Sequence, residues 1–72
     1  MKNFKYFFFN GQQYFTKDNF TIFDLLKYLN FNLFKSIYIL EYNGFVCHET
    51  NWNKTLIQSN DTIELITIVG GG

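Results

Sequence analysis

Arginine, alanine and proline are missing from this chain altogether, and cysteine occurs once, at Cys47. A single cysteine excludes an internal disulfide framework and any CxxC redox or zinc site. Arginine is the preferred residue for gripping phosphate, and its absence accompanies a formal net charge of zero and a pI near 6.5. The chain therefore has no electrostatic footprint for nucleic acid or for an anionic membrane. No apolar run approaches the roughly 20 residues of a membrane span. The opening "MKNFKYFFFNG" has a lysine followed by aromatics, but no small-residue cleavage box follows. It reads as a first strand, in a soluble protein that works where it is made. The missing residues, beside abundant Phe, Lys, Asn, Ile and Tyr, reflect a codon bias toward A and T. An organelle or an AT-rich bacterium produces such a bias.

With 72 residues, the chain is one domain near the size at which a single core is only marginally sufficient. Its 10 phenylalanines and 5 tyrosines compensate, because aromatic side chains bury more area apiece than the average residue. Two aromatic-rich runs flank Asn10-Gly11 in "FKYFFFNGQQYF". Both residues of an Asn-Gly pair accept the positive φ of a type I′ turn, so this is a hairpin with strands over about 3–9 and 13–17. The first strand is aromatic on both faces, and periodicity alone does not say which is buried.

In "TIFDLLKYLN", Ile22, Leu25, Leu26 and Leu29 recur at i, i+3, i+4 and i+7, one stripe of a helix. Thr21 is its N-cap, Asp24 suits the positive end, and Asn30 stops it. Asp24 and Lys27 fall on the opposite, wet face. "SIYILEYNGFVCHE" repeats the hairpin grammar, with strands over about 37–42 and 45–48 around Asn43-Gly44. The polar stretch "TNWNKTLIQSND" reads as an irregular crossover pinned by Trp52, Leu56 and Ile57, with a turn at Asn60-Asp61. The β-branched "TIELITIV" over about 62–69 forms a central strand. The order β-β-α-β-β-β predicts an α+β fold of the β-grasp type. It has a mixed sheet of about five strands and one main helix on one face. The other face is left partly exposed, and its aromatics form either a partner surface or a solubility hazard.

The candidate functional residues are few. Cys47 and His48 are adjacent on a strand and point to opposite faces, so they do not readily act together. No second cysteine or histidine exists to complete a metal site. The aromatic strand (Phe4, Tyr6, Phe7, Phe8, Phe9) could form a stacking platform for RNA, but such a platform needs a basic surround. Core packing on one face and a protein-binding patch on the other account for it better. Asp18, Asp24, Glu41, Glu49, Asp61 and Glu64 show no pairing for acid-base catalysis. Asp24 and Asp61 read as helix-end and turn residues, and Glu41 and Glu64 as solvent-facing strand positions.

The remaining feature is the ending "ITIVGGG". Glycine loses more backbone freedom on ordering than any other residue, so Gly70, Gly71 and Gly72 are not there for stability. They are either a frayed end or a slender lead that brings a terminal carboxylate into a narrow site. The expected division is a β-grasp domain over 1–69 and a flexible diglycine-type tail over 70–72.

In element order and ending, the chain resembles the sulfur carrier proteins of thiamine biosynthesis, the ThiS family. The matching pieces are Phe9-Asn10-Gly11, "TIFDLLKYL" over 21–29 and "YNGFV" over 42–46. They continue with Trp52, Leu56-Ile57 ahead of Asp61, and "IELITIVGGG" to the end. Cys47-His48 stands where members often carry Pro-Arg, and Ser59-Asn60-Asp61 where many have Asp-Gly-Asp.

The resemblance implies a protein co-substrate and not an enzyme, with no bound cofactor, metal or catalytic residue of its own. An adenylating enzyme would use ATP and Mg²⁺ to activate the Gly72 carboxylate. A cysteine desulfurase or other sulfur-relay protein would supply sulfur, and the resulting thiocarboxylate would serve thiazole synthase. Gly70 and Gly71 would thread the tail into each partner. The small subunit of molybdopterin synthase, a ubiquitin-like modifier and an inert-tailed β-grasp interaction module are the competing readings. A monomer in the plastid stroma is expected when free, with bacterial cytoplasm as the alternative.

Overall fold

Two Asn-Gly turns set the architecture. The computed structural model describes residues 4–17, 19–32 and 37–68. Asn10 and Gly11 have φ of 50° and 82°, and Asn43 and Gly44 have 52° and 88°, the left-handed pair that a two-residue hairpin requires. The first turn joins β1 (Lys5–Phe9) to β2 (Gln12–Thr16) in antiparallel register, with Phe9 opposite Gln12. The second joins β3 (Ile37–Tyr42) to β4 (Phe45–Val46), with Tyr42 opposite Phe45. Between the hairpins lies α1 (Ile22–Tyr28), and β5 (Asp61–Ile68) closes the described chain.

The sheet order is β2-β1-β5-β3-β4. The last strand is thus inserted at the centre, parallel to β1 and antiparallel to β3. This is the mixed β-grasp sheet with one helix that the sequence predicts. Central placement explains why "DTIELITI" is the most β-branched stretch: it must pair on both sides and bury alternate residues.

The helix begins on a reciprocal capping box. Thr21 Oγ1 accepts from the Asp24 N–H, and an Asp24 carboxylate oxygen accepts from the Thr21 N–H, both at 3.0 Å. Two more N–H groups of the first turn are satisfied by the crossover: Ile22 donates to the Thr55 carbonyl at 3.1 Å and Phe23 to the Trp52 carbonyl at 3.0 Å. The segment that looks irregular in sequence is therefore the acceptor set for the exposed end of a helix. Asn30, at φ 66°, takes the left-handed turn that ends it.

The helix lays Ile22, Leu25 and Leu26 on one face of the sheet, against Phe7, Phe9, Leu40, Ile63 and Leu65, with Trp52 and Ile57 closing the core from the crossover. Alternation along β1 buries Phe7 and Phe9 and turns Phe4, Tyr6 and Phe8 outward, which settles the ambiguity of that strand.

Several boundaries differ from the sequence reading. β2 starts at Gln12 and not 13, because the two-residue turn leaves Gln12 directly opposite Phe9. β4 ends at Val46 and not 48. Cys47 turns inward, donating its N–H to the Leu40 carbonyl at 2.8 Å and accepting the Trp52 indole N–H at 2.9 Å. A short 3-10 turn at Glu49–Asn51 follows. Leu56, expected as an anchor, is exposed, while its neighbour Ile57 is fully buried. The glycine tail, Gly70 to Gly72, and Val69 lie outside the described residues.

Candidate functional site

The candidate site is the far end of β5, the strand that leads into residues 69–72. β5 is held at several points. At its start, the buried Asp61 carboxylate accepts from the Tyr42 hydroxyl, from Asn43 Nδ2 at 3.0 Å and from the Gln58 N–H at 2.7 Å. Burial, and then the hydrogen bond to Asp61, push the Tyr42 phenol well above the usual tyrosine range, so it stays a donor.

Further along, both hairpin asparagines clamp the strand. Asn43 Oδ1 accepts the Thr62 N–H at 2.8 Å, and Asn10 Oδ1 accepts the Leu65 N–H at 2.9 Å. Asn10 thereby stands in for a strand carbonyl where β1 has already turned away, since the β1 register on β5 stops at Phe9 opposite Ile63. Beyond Leu65, among the described residues, β5 is flanked by β3 alone, with Ile66 opposite Ile39 and Ile68 opposite Ile37. The strand's last described residues are thus paired on the β3 side.

The sheet face away from the helix divides along its length. At the start of β1 lies an aromatic block of Phe4, Tyr6, Phe8 and Phe15, with Tyr6 and Phe15 packed edge to face at 5.0 Å. At the end of β5 lies an aliphatic block of Ile37, Ile39, Ile66 and Ile68, continued by Val46. Between the blocks run Thr62, Glu64 and Glu41, the two carboxylates directly opposite each other across the β3–β5 ladder.

The other sequence candidates take structural places. Cys47 is half-buried with its sulfur 4.0 Å from Thr55 Oγ1, and the exposed His48 caps the 3-10 turn, so they form no dyad. Asp24 closes the capping box and Asp18 lies outside the described residues. Among the described residues no cluster of His, Cys, Asp or Glu could hold a metal ion, and no helix is long and apolar enough to cross a membrane. A cleft of about 410 Å³ between β2 and α1 is lined by Tyr14, Phe15, Phe20, Leu25 and Tyr28. Among the described residues its lining contains no carboxylate, imidazole or thiol with which to do chemistry. Asp61, Asn10 and Asn43 were the residues that sequence reasoning undervalued: their turn propensity was visible, their grip on β5 was not.

A central last strand, one covering helix and an open opposite face define a ubiquitin-like β-grasp protein. Within that class the chain belongs to the ThiS family, whose model matches residues 7–72. It is 52% identical over 68 residues to the ycf40 protein of Trieres chinensis, covering 94% of this chain and 90% of that one. It is 35% identical over 63 residues to the ycf40 protein of Porphyra purpurea, covering 88% and 86%. Both relatives come from plastid genomes. The crystal structure of the thiamine biosynthesis protein ThiS from Geobacter metallireducens superposes with a TM-score of 0.72 at 24% identity, covering 93% of this chain and 99% of that one. At that identity the likeness shows the shared fold.

Proposed function

We propose that this chain is a sulfur carrier for the thiazole moiety of thiamine, acting as a protein co-substrate through its Gly72 carboxylate. The observation that carries the reading is membership of the ThiS family over a match that runs to Gly72. The geometry is compatible with it: β5 is clamped at Asp61, Thr62 and Leu65 and reaches one end of the sheet at Ile68.

The chemistry follows from the weakness of a carboxylate as an electrophile. A partner adenylating enzyme, with Mg²⁺ and ATP, lets the Gly72 carboxylate attack the α-phosphorus and expel pyrophosphate. The acyl-adenylate then carries a good leaving group. A persulfide, charged by a cysteine desulfurase or another relay protein, attacks the acyl carbon and expels AMP. A thiol cleaves the resulting acyl disulfide and leaves a C-terminal thiocarboxylate, which thiazole synthase consumes. Residues 70–72 span about 10 Å when extended, and without Cβ atoms they fit a slot whose walls contact backbone. The plastid origin of both relatives supports the plastid stroma as the place of action.

The test is ATP–pyrophosphate exchange by the adenylating enzyme of the same organism. The reading expects exchange that depends on the full chain and vanishes with a chain ending at Val69. Exchange indifferent to the chain would refute it.

A further inference from the structure

We propose that the outer edge of β2 and the cleft between β2 and α1 together take one added antiparallel strand. Its source is an extended segment of a partner protein, with apolar residues at alternate positions and aspartate or glutamate at its flanks. The site is separate from the tail, since β1 lies between β2 and β5.

The edge comes first. The two-residue turn makes Phe9 and Gln12 the closing pair that exchanges both bonds, and antiparallel pairs alternate from there. Tyr14 and Thr16 therefore bond to β1, while Gln13 and Phe15 aim their N–H and C=O groups away from the sheet. Among the described residues no strand takes them up. Sheets blunt such edges with charge, proline, a bulge or shortness. The opposite edge strand, β4, is two residues long. β2 is five residues, "QQYFT", in unbroken register and without charge or proline.

The cleft is the second observation. Every other residue of a strand added to β2 turns its side chain toward α1, where the cleft of about 410 Å³ opens between Tyr14, Phe20, Leu25 and Tyr28. That volume falls within the range of ligand pockets, about 300–1,000 Å³. Free main-chain groups at an edge, beside a pocket for alternate side chains, are the two parts of recognition by strand addition. A second copy supplies only the first part. Its own β2 would bring Gln12, which is polar, Thr16, which is buried, and Tyr14, which already stacks on Phe7 with ring centroids 5.7 Å apart.

Charge selects the flanks. Up to residue 32, the part that builds β1, β2 and α1, the sequence has Lys2, Lys5, Lys17 and Lys27 against Asp18 and Asp24. The remainder has Lys35 and Lys54 against Glu41, Glu49, Asp61 and Glu64. A chain of zero net charge is thus basic in the elements that frame the cleft, and the exposed Lys17 directly continues β2. Acidic residues beside the apolar segment complement it.

The test titrates the full chain with a capped peptide holding Ile-Thr-Val-Thr-Ile between paired aspartates, read by amide chemical shifts and hydrogen exchange. The Gln13 and Phe15 amides are expected to exchange freely in the chain alone and to be protected by the peptide. N-methylation at the peptide's threonines, whose N–H groups face β2, is expected to weaken binding about ten-fold or more. N-methylation at its valine, whose N–H faces away, is expected to have little effect. On the protein side, Gln13→Pro removes one outward N–H at a position where an edge strand tolerates proline. It should weaken binding about ten-fold with the melting temperature little changed, and the methylated peptides decide the matter with the protein unaltered. No binding at millimolar peptide, equal loss for both methylated peptides, equal binding of a peptide with serines for aspartates, or shifts centred on β3 and β4 would overturn the proposal. So would protection of Gln13 and Phe15 that grows with the concentration of the chain alone, the mark of a second copy on this edge.

Discussion

Replacing Asp61 with alanine tests what holds β5 in place. The carboxylate is 7% exposed and accepts from the Tyr42 hydroxyl, Asn43 Nδ2 and the Gln58 N–H. Removing it strands donors that have lost their acceptor, and each buried unsatisfied donor costs about 1–3 kcal/mol. Asn43 and Gln58 are both exposed and rehydrate easily, so the half-buried Tyr42 hydroxyl carries most of the penalty, for a total of about 2 kcal/mol. A domain of this size has roughly 4–11 kcal/mol in all, so the variant remains folded but sits near the margin. The melting temperature should fall by roughly 8–16 °C. Urea unfolding followed by Trp52 fluorescence is the assay, with the slope of free energy on denaturant unchanged. Asp61→Asn keeps an acceptor oxygen and should lose about 1 kcal/mol. A loss below about 0.5 kcal/mol for Asp61→Ala, within the range of ordinary surface changes, would refute the assignment of Asp61 as the clamp.

The Tyr42 phenol, raised by burial and by Asp61, implies a pH signature. Its contribution is complete below about pH 10, the pKa of the unfolded chain, and is lost as pH rises above that; Tyr42→Phe should abolish this alkaline sag in melting temperature. Gly11→Ala meets no atom within 4 Å, but φ is +82°, so the cost should be conformational alone, about 1 kcal/mol in urea unfolding. Asn10→Ala loses the bond to the Leu65 N–H as well as a residue suited to positive φ, and should cost about 2 kcal/mol with increased hydrogen exchange at Leu65. Gly72→Val should leave the melting temperature unchanged while abolishing pyrophosphate exchange, because only the tail's passage into the enzyme is affected.

The hairpins and the helix were legible because their signals are local. Asn-Gly forces a positive-φ pair, and the stripe at Ile22, Leu25 and Leu26 needs only a helical period. The central place of the last strand and the single helix on one face followed from the β-grasp grammar, whereas the buried face of β1, with Phe7 and Phe9, was settled only by the structure. What escaped notice depends on contacts far apart in sequence. Asn60-Asp61 reads as a turn, yet the carboxylate works on Tyr42 and Asn43, 18 to 19 positions earlier. Asn10 reads as a turn residue, yet its side chain caps Leu65, 55 positions away. Leu56 and Ile57 cannot be told apart without periodicity, and the structure buries only the second. The short β4 reflects Trp52 drawing in the Cys47 carbonyl, a bond that no strand pattern encodes. The glycine tail lies outside the described residues, and the geometry that leads to it was legible only through β5, whose Glu41–Glu64 pairing depends on register.

The central claim is that Gly72 becomes a thiocarboxylate. Intact mass spectrometry of the full chain after incubation with its adenylating enzyme, ATP, Mg²⁺, a persulfide donor and a thiol tests it directly. The account predicts a gain equal to exchanging one oxygen for sulfur, confined to the C-terminal peptide. An unchanged mass, with every component active on a carrier known to be loaded, would contradict it.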